Sequence, residues 1–307
     1  MTGLGDAGAA VRRATLVGSA LALVGATAYG INIVGARLCA QLGISGSDIV
    51  VYRAFLFLPL LAGLALWRGQ RLALSPGNRA PVFRFAVFSV ATALFYMSSL
   101  AYLPVPIAVT IFYTYPLIVI LLSPYVDRVP LSLRRWVVAL VAFAGVLLAV
   151  GPEAHRLDPR GVVLALFGSA ACAGMFISAA RVETDSSVTF FWCQICALPL
   201  GLGFAHVMGG LSEPAVLMAG LAPLLVNVAG YFIGFLLQIM AAARISPATA
   251  GLLFLFEPVV AILAAALVLS ETLTLAQTVG IALVVGALAF DLLPHLRRSE
   301  PITPFEP

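Results

Sequence analysis

Residues Ala108–Val137 read AVTIFYTYPLIVILLSPYVDRVPLSLRRWV, and a stretch of the same length, AGLLFLFEPVVAILAAALVLSETLTLAQTV, follows 142 positions later at Ala250–Val279. Both are apolar runs that carry a proline in their first third, Pro116 in one and Pro258 in the other. Apolar residues match by chance easily, so the aligned prolines carry more weight than the aligned leucines. The two stretches therefore indicate an internal duplication, a feature that decides the architecture of a whole chain.

The rest of the chain carries further traces of this duplication. Arg37 matches Arg181 at a shift of 144 positions, and Leu58-Pro59-Leu60 matches Leu198-Pro199-Leu200 at a shift of 140. The duplication predicts two similar halves. The predicted division is a cytoplasmic N-terminal tail at 1–14, a first five-helix repeat at 15–150, a second at 161–293, and a disordered cytoplasmic C-terminal tail at 294–307.

The composition identifies the solvent of the chain. Of its 307 residues, 62% are hydrophobic and only 10% are charged, whereas soluble domains are about 45–50% apolar and about 25% charged. Because so few charges cannot cover a surface that faces water, we expect the lipid bilayer to be the main partner of the protein surface. All seventeen basic residues are arginines, and no basic run alternates with aromatic residues, so no nucleic-acid partner is expected.

Ten segments meet the requirement for a membrane-spanning helix, about 20 mainly apolar residues. They lie at 15–36, 49–67, 82–101, 107–126, 136–150, 161–180, 189–208, 217–241, 248–269 and 275–293. The sequence therefore predicts an all-α membrane protein of about ten transmembrane helices. Five helices per repeat is an odd number, so the second repeat must enter the membrane from the opposite side, as a 5+5 inverted repeat.

The arginines predict the orientation of the helices, because positive flanks stay on the cytoplasmic side. With ten helices and a cytoplasmic N-terminus, thirteen arginines lie on the cytoplasmic side, and only Arg37, Arg156 and Arg160 lie outside. Arg53 lies within the second helix. This asymmetry predicts a multi-pass protein of the bacterial inner membrane with both termini in the cytoplasm.

The second repeat contains the motifs Ser246–Ala250 (SPATA), Phe256–Val260 (FEPVV), Leu269–Thr274 (LSETLT) with its acidic Glu271, and the glycines Gly280 and Gly286 of the last helix. With these motifs the chain resembles, over about residues 15–293, the EamA-type branch of the drug/metabolite transporter superfamily. Arg53 resembles an arginine often found in the second helix of that family, whereas the first repeat departs from the pattern because Val129 stands where Glu271 predicts an acid.

This resemblance implies a 5+5 inverted fold with a central cavity lined mainly by helices 1, 3, 4, 6, 8 and 9. Similar proteins are commonly exporters of amino acids or other metabolites. The motifs identify the superfamily better than the solute, and they imply a transporter rather than an enzyme.

Two groups of side chains are candidates for the transport mechanism. Pro116 and Pro258 each remove a helical hydrogen bond, which predicts a pair of hinges beside the cavity; the alternative is the ordinary tolerance of membrane helices for proline. Glu257 is the one carboxylate in the middle of a span. It either binds a substrate amine or carries a coupling proton, or it is a structural acid satisfied by a neighbour.

Arg53 and Glu271 are interpreted as structural charges. Arg53 either snorkels or forms an ion pair, with a substrate carboxylate as the less favoured partner, and Glu271 closes a helix corner. A further set of polar side chains in apolar helices is expected to face inward, toward a cavity or toward a neighbouring helix. With Glu257, the predicted substrate-binding residues are Tyr29, Asn32, Tyr96, Tyr113, Asn227, Tyr231 and Gln238.

Other chemistry finds little support in the sequence. There is no G-x-x-x-x-G-K-[ST] loop and no cluster of metal ligands, so neither ATP nor a metal is expected as a cofactor. Cys193 and Cys196 form a lone C-x-x-C that is interpreted as helix packing. The favoured function is a secondary transporter, an exporter of a small metabolite such as an amino acid by alternating access, with proton exchange as a hypothesis. The alternatives are a membrane-embedded enzyme and a non-transporting receptor or scaffold.

Overall fold

The structure is a computed structural model that describes residues 2–100, 102–103, 105–126, 132–151, 158–207, 210–269 and 272–297. Within these residues every regular element is a helix. The helices are α1 (Thr2–Gln41), α2 (Gly46–Trp67), α3 (Pro76–Ser99), α4 (Val105–Phe112), α5 (Tyr115–Val126), α6 (Leu133–Val150), α7 (Pro159–Ala179), α8 (Ser186–Val207), α9 (Pro214–Ala219), α10 (Leu221–Ala242), α11 (Pro247–Leu253), α12 (Phe256–Leu269) and α13 (Leu275–Arg297). This confirms the all-helical fold.

The helices form ten spans, two of which consist of two helices each: span 4 is α4 with α5, and span 9 is α11 with α12. The other spans are single helices, numbered in chain order; span 8 is α10, and the short α9 precedes it. Nine segments of the described chain are long and apolar enough to cross a membrane. The remaining span, α3, has 24 residues, carries Arg79 and Arg84 near its start, and packs along α7 and α8.

Both ends of the helical region extend beyond the predicted repeats. Helix α1 begins at Thr2, within the segment expected to be a tail, because Ala7–Ala14 is rich in alanine and arginine, which favour helix. The apolar part of this helix begins at Arg12. Helix α13 continues to Arg297, and the rest of the predicted C-terminal tail, 298–307, lies outside the described residues.

The contacts between spans show that the two repeats are related by a pseudo-twofold axis. Span 1 packs on span 8 and span 6 packs on span 3, and span 1 also packs on span 9 as span 6 packs on span 4. Spans 2 and 7, 4 and 9, and 5 and 10 pack on each other. Exchanging each span with its counterpart five places later maps this contact pattern onto itself, which confirms the inverted repeat.

Spans 5 and 10 meet at a seam made by Gly145 and Gly280. A Cβ atom at Gly145 would lie 2.8 Å from the carbonyl oxygen of Gly280, and a Cβ atom at Gly280 would lie 2.5 Å from the carbonyl oxygen of Gly145. Two helices can approach this closely only where both residues are glycine, as is common in membrane helix pairs.

Each repeat begins its second helix with a corner that bonds to the other repeat. In the first repeat Ser45 caps α2, and the buried carboxylate of Asp48 accepts hydrogen bonds from the backbone and hydroxyl of Ser212 at 2.8 and 2.5 Å. In the second repeat the carboxylate of Asp185 accepts from the backbone of Ser187 at 2.9 Å, and the hydroxyl of Ser187 lies 3.0 Å from Oε1 of Gln70. We call these the Asp48 corner and the Asp185 corner.

Candidate functional site

The centre of the bundle contains a hydrogen bond between the two repeats. The hydroxyl of Tyr29 on span 1 donates to Oε1 of Gln238 on span 8 at 2.8 Å. Gln238 is buried, and its amide nitrogen lies 4.0 Å from the sulfur of Met175 on span 6. Two of the predicted substrate-binding residues are therefore brought together at the interface between the repeats.

Glu257 lies beside this pair, in the first turn of α12 and directly after the break in span 9. The side chain is half-buried, and the hydroxyl of Tyr113 on span 4 faces its carboxyl group. The side chains close enough to interact with its charge are mostly tyrosines. They are Tyr29, Tyr96, Tyr113, Tyr115 and Cys172. A carboxyl group among neutral hydroxyls, with no described basic group within 4 Å, can bind an ammonium group or hold a proton.

Spans 4 and 9 are both interrupted at their prolines. Helix α4 ends at Phe112 and α5 begins at Tyr115, while α11 ends at Leu253 and α12 begins at Phe256. Pro116 and Pro258 lack the amide hydrogen that would continue each ladder. Each proline thus follows the break in its span, and the role of Pro116 and Pro258 as hinges stays a prediction.

The break in span 4 is stabilised by a polar contact to span 6. The hydroxyl of Thr114 donates to the carbonyl oxygen of Ile111 at 2.7 Å and lies 2.8 Å from the hydroxyl of Ser169. In the second repeat the position of Thr114 is occupied by Phe256, which has no hydroxyl. The two breaks thus share a backbone form but differ in their local bonding.

Aromatic rings close the space around Glu257. Tyr115 stacks on Phe176 at a centroid distance of 5.3 Å, and Phe176 packs edge-on against Phe254 at 5.4 Å. Tyr96 packs on Phe112 at 4.8 Å. These rings come from spans 3, 4, 6 and 9, which the resemblance placed among the helices lining the central cavity.

Arg53 occupies a separate place, between spans 2, 3, 7 and 8. Its guanidinium carbon lies 3.3 Å from the centre of the Tyr231 ring, which is a cation–π contact. The predicted ion pair is not found, because no carboxylate of the described residues lies within 4 Å of this group.

Asn32 and Asn227 pair with each other across spans 1 and 8. The amide nitrogen of Asn32 donates to the carbonyl oxygen of Asn227 at 2.7 Å, and the amide nitrogen of Asn227 donates to the carbonyl oxygen of Asn32 at 3.0 Å. Because both side-chain NH2 groups bond to the backbone of the partner helix, and only Oδ1 of Asn227 is buried without a partner, the geometry favours helix packing over substrate binding for this pair. Glu271, the other predicted structural charge, lies outside the described residues.

The structure adds residues that sequence reasoning passed over. Tyr115 stands at the position of Glu257 when the shift of 142 is applied, and Cys193 stands at the position of Arg53 when the shift of 140 is applied. Applying the repeat residue by residue would have found both. Across the described chain, no group of three or more His, Cys, Asp or Glu residues could hold a metal ion.

The chain is similar to proteins of known kind. It is 29% identical over 229 residues to the threonine/homoserine exporter RhtA of Escherichia coli K12, which covers 73% of this chain and 75% of that protein. The threonine/homoserine exporter RhtA of Salmonella typhimurium SL1344 is 28% identical over the same lengths.

A solved crystal structure shares the fold, with a TM-score of 0.74, 21% identity, and coverage of 91% of this chain and 98% of the other. The model of the EamA-like transporter family matches twice, at residues 16–151 and 159–292. These two ranges together cover most of the chain and fall on its two repeats. The chain therefore belongs to the EamA-like transporter family, with one family domain in each repeat.

Proposed function

We propose that this protein exports small amphipathic metabolites that carry an amine, with amino acids as the class, by alternating access. The observation that carries the proposal is the half-buried carboxyl of Glu257, placed among tyrosine hydroxyls at the interface of two repeats. Its relatives in Escherichia coli and Salmonella typhimurium, which are threonine/homoserine exporters, support the same class of solute.

Alternating access is supported by the symmetry of the two breaks. Each repeat contributes one interrupted span, and the two interrupted spans pack on each other through α5 and α11. A short helix that ends at the centre of the membrane can turn about its break more easily than an unbroken helix can bend. Opening one break and closing the other would expose Glu257 first to one side of the membrane and then to the other.

Proton exchange follows from the chemistry of a single carboxyl group. The Glu257 side chain can hold a proton or pair with an ammonium group, but it cannot do both at once. A carrier that returns only with one or the other bound would couple solute export to proton entry.

The distribution of arginines supports both termini in the cytoplasm of a bacterial inner membrane. In this orientation both termini, the Asp185 corner and the loop after α2 would lie on the same side of the membrane. Accessibility labelling of single cysteines placed near Thr2 and Arg297, in a background without the four native cysteines, tests this orientation.

The function is tested with the purified full-length chain in proteoliposomes. Labelled threonine, homoserine and other amino acids are loaded inside, and efflux is measured with and without an opposing proton gradient. We expect saturable efflux of at least one amino acid, and efflux about 10- to 100-fold lower in liposomes that contain the Glu257→Gln variant. A membrane-embedded enzyme or a receptor would give no protein-dependent flux of any solute in the panel, and that result would overturn the proposal.

A further inference from the structure

A cleft leads from one end of the bundle to Arg53. Its wall on α2 is formed by Gly46, Val50 and Arg53, which are spaced by four and three residues and therefore share one helical face. The wall on α8 runs from Cys193 and Gln194 to Phe204 near the end of that helix. The cleft thus opens at the end of the bundle where α2 begins and α8 ends.

Arg53 reaches into this cleft with unused hydrogen-bonding capacity. It lies about 10 Å along the helix axis from Gly46, and side chains on a helix lean toward its N-terminus, which here is the mouth of the cleft. Its buried Nε has no hydrogen-bond partner. None of the residues that line the cleft is acidic, and the guanidinium is supported only from one side, by the ring of Tyr231.

The guanidinium of Arg53 in this cleft favours the binding of an anion. Burying an unpaired guanidinium inside a membrane protein is costly, and an aromatic face offsets only a part of that cost. The planar guanidinium fork matches a carboxylate through two parallel hydrogen bonds. Gln194, buried on the opposite wall beside Tyr231, offers a further amide to the same ligand.

We propose that Arg53 binds the carboxylate of the transported solute, as a second binding site distinct from Glu257. This inference rests on the proposed export function. Tyr29 and Tyr231 lie between the two charged residues: their rings are 5.9 Å apart, Arg53 lies over Tyr231, and Glu257 interacts with Tyr29. A solute therefore meets Glu257 through its amine in the centre and Arg53 through its carboxylate in the cleft, on the way to the end of the bundle where the cleft opens.

The test compares an acid with its neutral counterpart on the purified full-length protein. Thermal stabilisation is titrated with each of the twenty amino acids and with the amino alcohol made by reducing its carboxyl group, for instance L-threonine and L-threoninol. We expect at least one amino acid to bind the native protein about 10- to 100-fold more tightly than its alcohol, which is the usual effect of a charged hydrogen bond.

Variants assign this difference to Arg53. In Arg53→Gln the affinity for the amino acid should fall about 10- to 100-fold, to that of the alcohol, while the affinity for the alcohol stays unchanged. Arg53→Lys, which keeps the charge without the fork, should lie between. Arg84→Gln removes an exposed arginine of α3 and serves as the matched control. Ala197→Phe fills the cleft but keeps Arg53, and it should also abolish the preference for the acid.

Two results would overturn the inference. One is an Arg53→Gln protein that still prefers the acid; the other is a native protein that no amino acid stabilises. Neither decides the export function, because efflux of amines that lack a carboxyl group in the proteoliposome assay would uphold an exporter of amine-bearing metabolites without a carboxylate site. Since removal of an unpaired cation should not lower the melting temperature, a large loss of stability in Arg53→Gln would indicate a structural ion pair and also count against the proposal.

Discussion

The two broken spans share a backbone form and differ in the side chain that precedes each proline. In span 4 that residue is Tyr115, whose ring stacks on Phe176 and whose hydroxyl lies 3.5 Å from the carbonyl oxygen of Gly251 in span 9. In span 9 it is Glu257, whose carboxyl faces a tyrosine hydroxyl of span 4. Duplication thus accounts for the shared backbone form of the two spans, and one difference in side chain accounts for the negative charge of Glu257.

The same contrast recurs in spans 2 and 7. Arg53 in the first repeat corresponds to Cys193 in the second, and both line the cleft. Each repeat therefore contributes one charged residue that its counterpart lacks, the cation from the first and the carboxylate from the second. A solute that moves between them crosses from one repeat to the other, so the two directions of transport are chemically different even though the backbone is nearly symmetric.

The largest expected effect comes from removing the charge of Glu257 at the break in span 9. Removing the hydroxyl of Tyr115 at the break in span 4 is the comparison and should have a much smaller effect. Glu257→Gln should lower amino-acid efflux about 10- to 100-fold, because a charged contact to the amine is lost. Tyr115→Phe should change efflux less than about threefold, because it removes only a long, weak hydrogen bond. Proteoliposome efflux measured at several pH values checks both.

The pH dependence is the control for the first variant. Efflux through the native protein should depend on the proton gradient, and any residual efflux through Glu257→Gln should not. Equal losses in the two variants would show that the charge of Glu257 matters no more than the hydroxyl of Tyr115, and would contradict its role in binding the amine.

A smaller effect is expected from the two prolines. Pro116→Ala and Pro258→Ala each allow an amide hydrogen to close the gap in the ladder. We expect each to slow efflux roughly tenfold or less and to raise the melting temperature, because a continuous helix resists turning about the break. Pro59→Ala, in an unbroken helix, is the matched control and should leave the rate near that of the native protein.

If only one of the two proline variants slowed transport, the motion would belong to one repeat. The symmetric mechanism would then be wrong, whereas the sites at Glu257 and Arg53 would be unaffected.

The amide pair of spans 1 and 8 has no amide counterpart among the described contacts of spans 6 and 3. Asn227→Ala should lower the free energy of unfolding by about 0.6 kcal/mol, since the bond from its side-chain amide to the backbone carbonyl of Asn32 is lost while the bond from Asn32 to the backbone carbonyl of residue 227 remains. The apparent affinity for the solute should not change, because both side-chain NH2 groups bond to the backbone of the partner helix. Unfolding in mixed detergent measures the stability, and titration of efflux against solute concentration measures the apparent affinity. A changed affinity with unchanged stability would show that Asn32 and Asn227 belong to the binding site.

The smallest effect is expected at the corners. Partial burial raises the pKa of the Asp185 carboxyl, but the hydrogen bonds from Ser187 and Gln70 and the charge of Arg68 outweigh it, so that its pKa lies below the ordinary value. Because the folded state favours the charged form, this stabilisation is complete above the unfolded pKa and is lost as the pH falls through the folded pKa.

Asp185→Asn should therefore cost about 0.5–1 kcal/mol at neutral pH, because the charge that the hydrogen bonds and Arg68 favour is lost. The difference from the native protein should shrink toward zero as melting is followed into the acid range below pH 4. Asp48→Asn should cost more, because Asp48 is fully buried and accepts four hydrogen bonds from Ser45 and Ser212. The opposite ranking would mean that the two corners do not correspond.

Most of the fold could be predicted from the sequence because a membrane constrains it so strongly. Ten apolar segments, an odd number per repeat and two aligned prolines leave few architectures. The breaks at Pro116 and Pro258 were predicted for a chemical reason, the missing amide hydrogen, which needs no tertiary information.

The site could be predicted only in part, because residue type does not say which way a side chain faces. Asn32 and Asn227 were expected to bind substrate. In the fold each bonds to the backbone of the other's helix, because spans 1 and 8 approach closely there. Arg53 was expected to snorkel or to form an ion pair; its actual neighbour is the ring of Tyr231. Periodicity places residues on a face, whereas the partner of that face is decided by packing.

Spans 5 and 10 touch backbone to backbone between Gly145 and Gly280, so a side chain at either position would force the two spans apart. Spans 2 and 7 lie away from this seam and pack on each other and against spans 3 and 8. If the proposed alternating access tilts the two repeats about the glycine seam, the displacement should grow with distance from it and be largest for the helices that carry the two corners and Arg53.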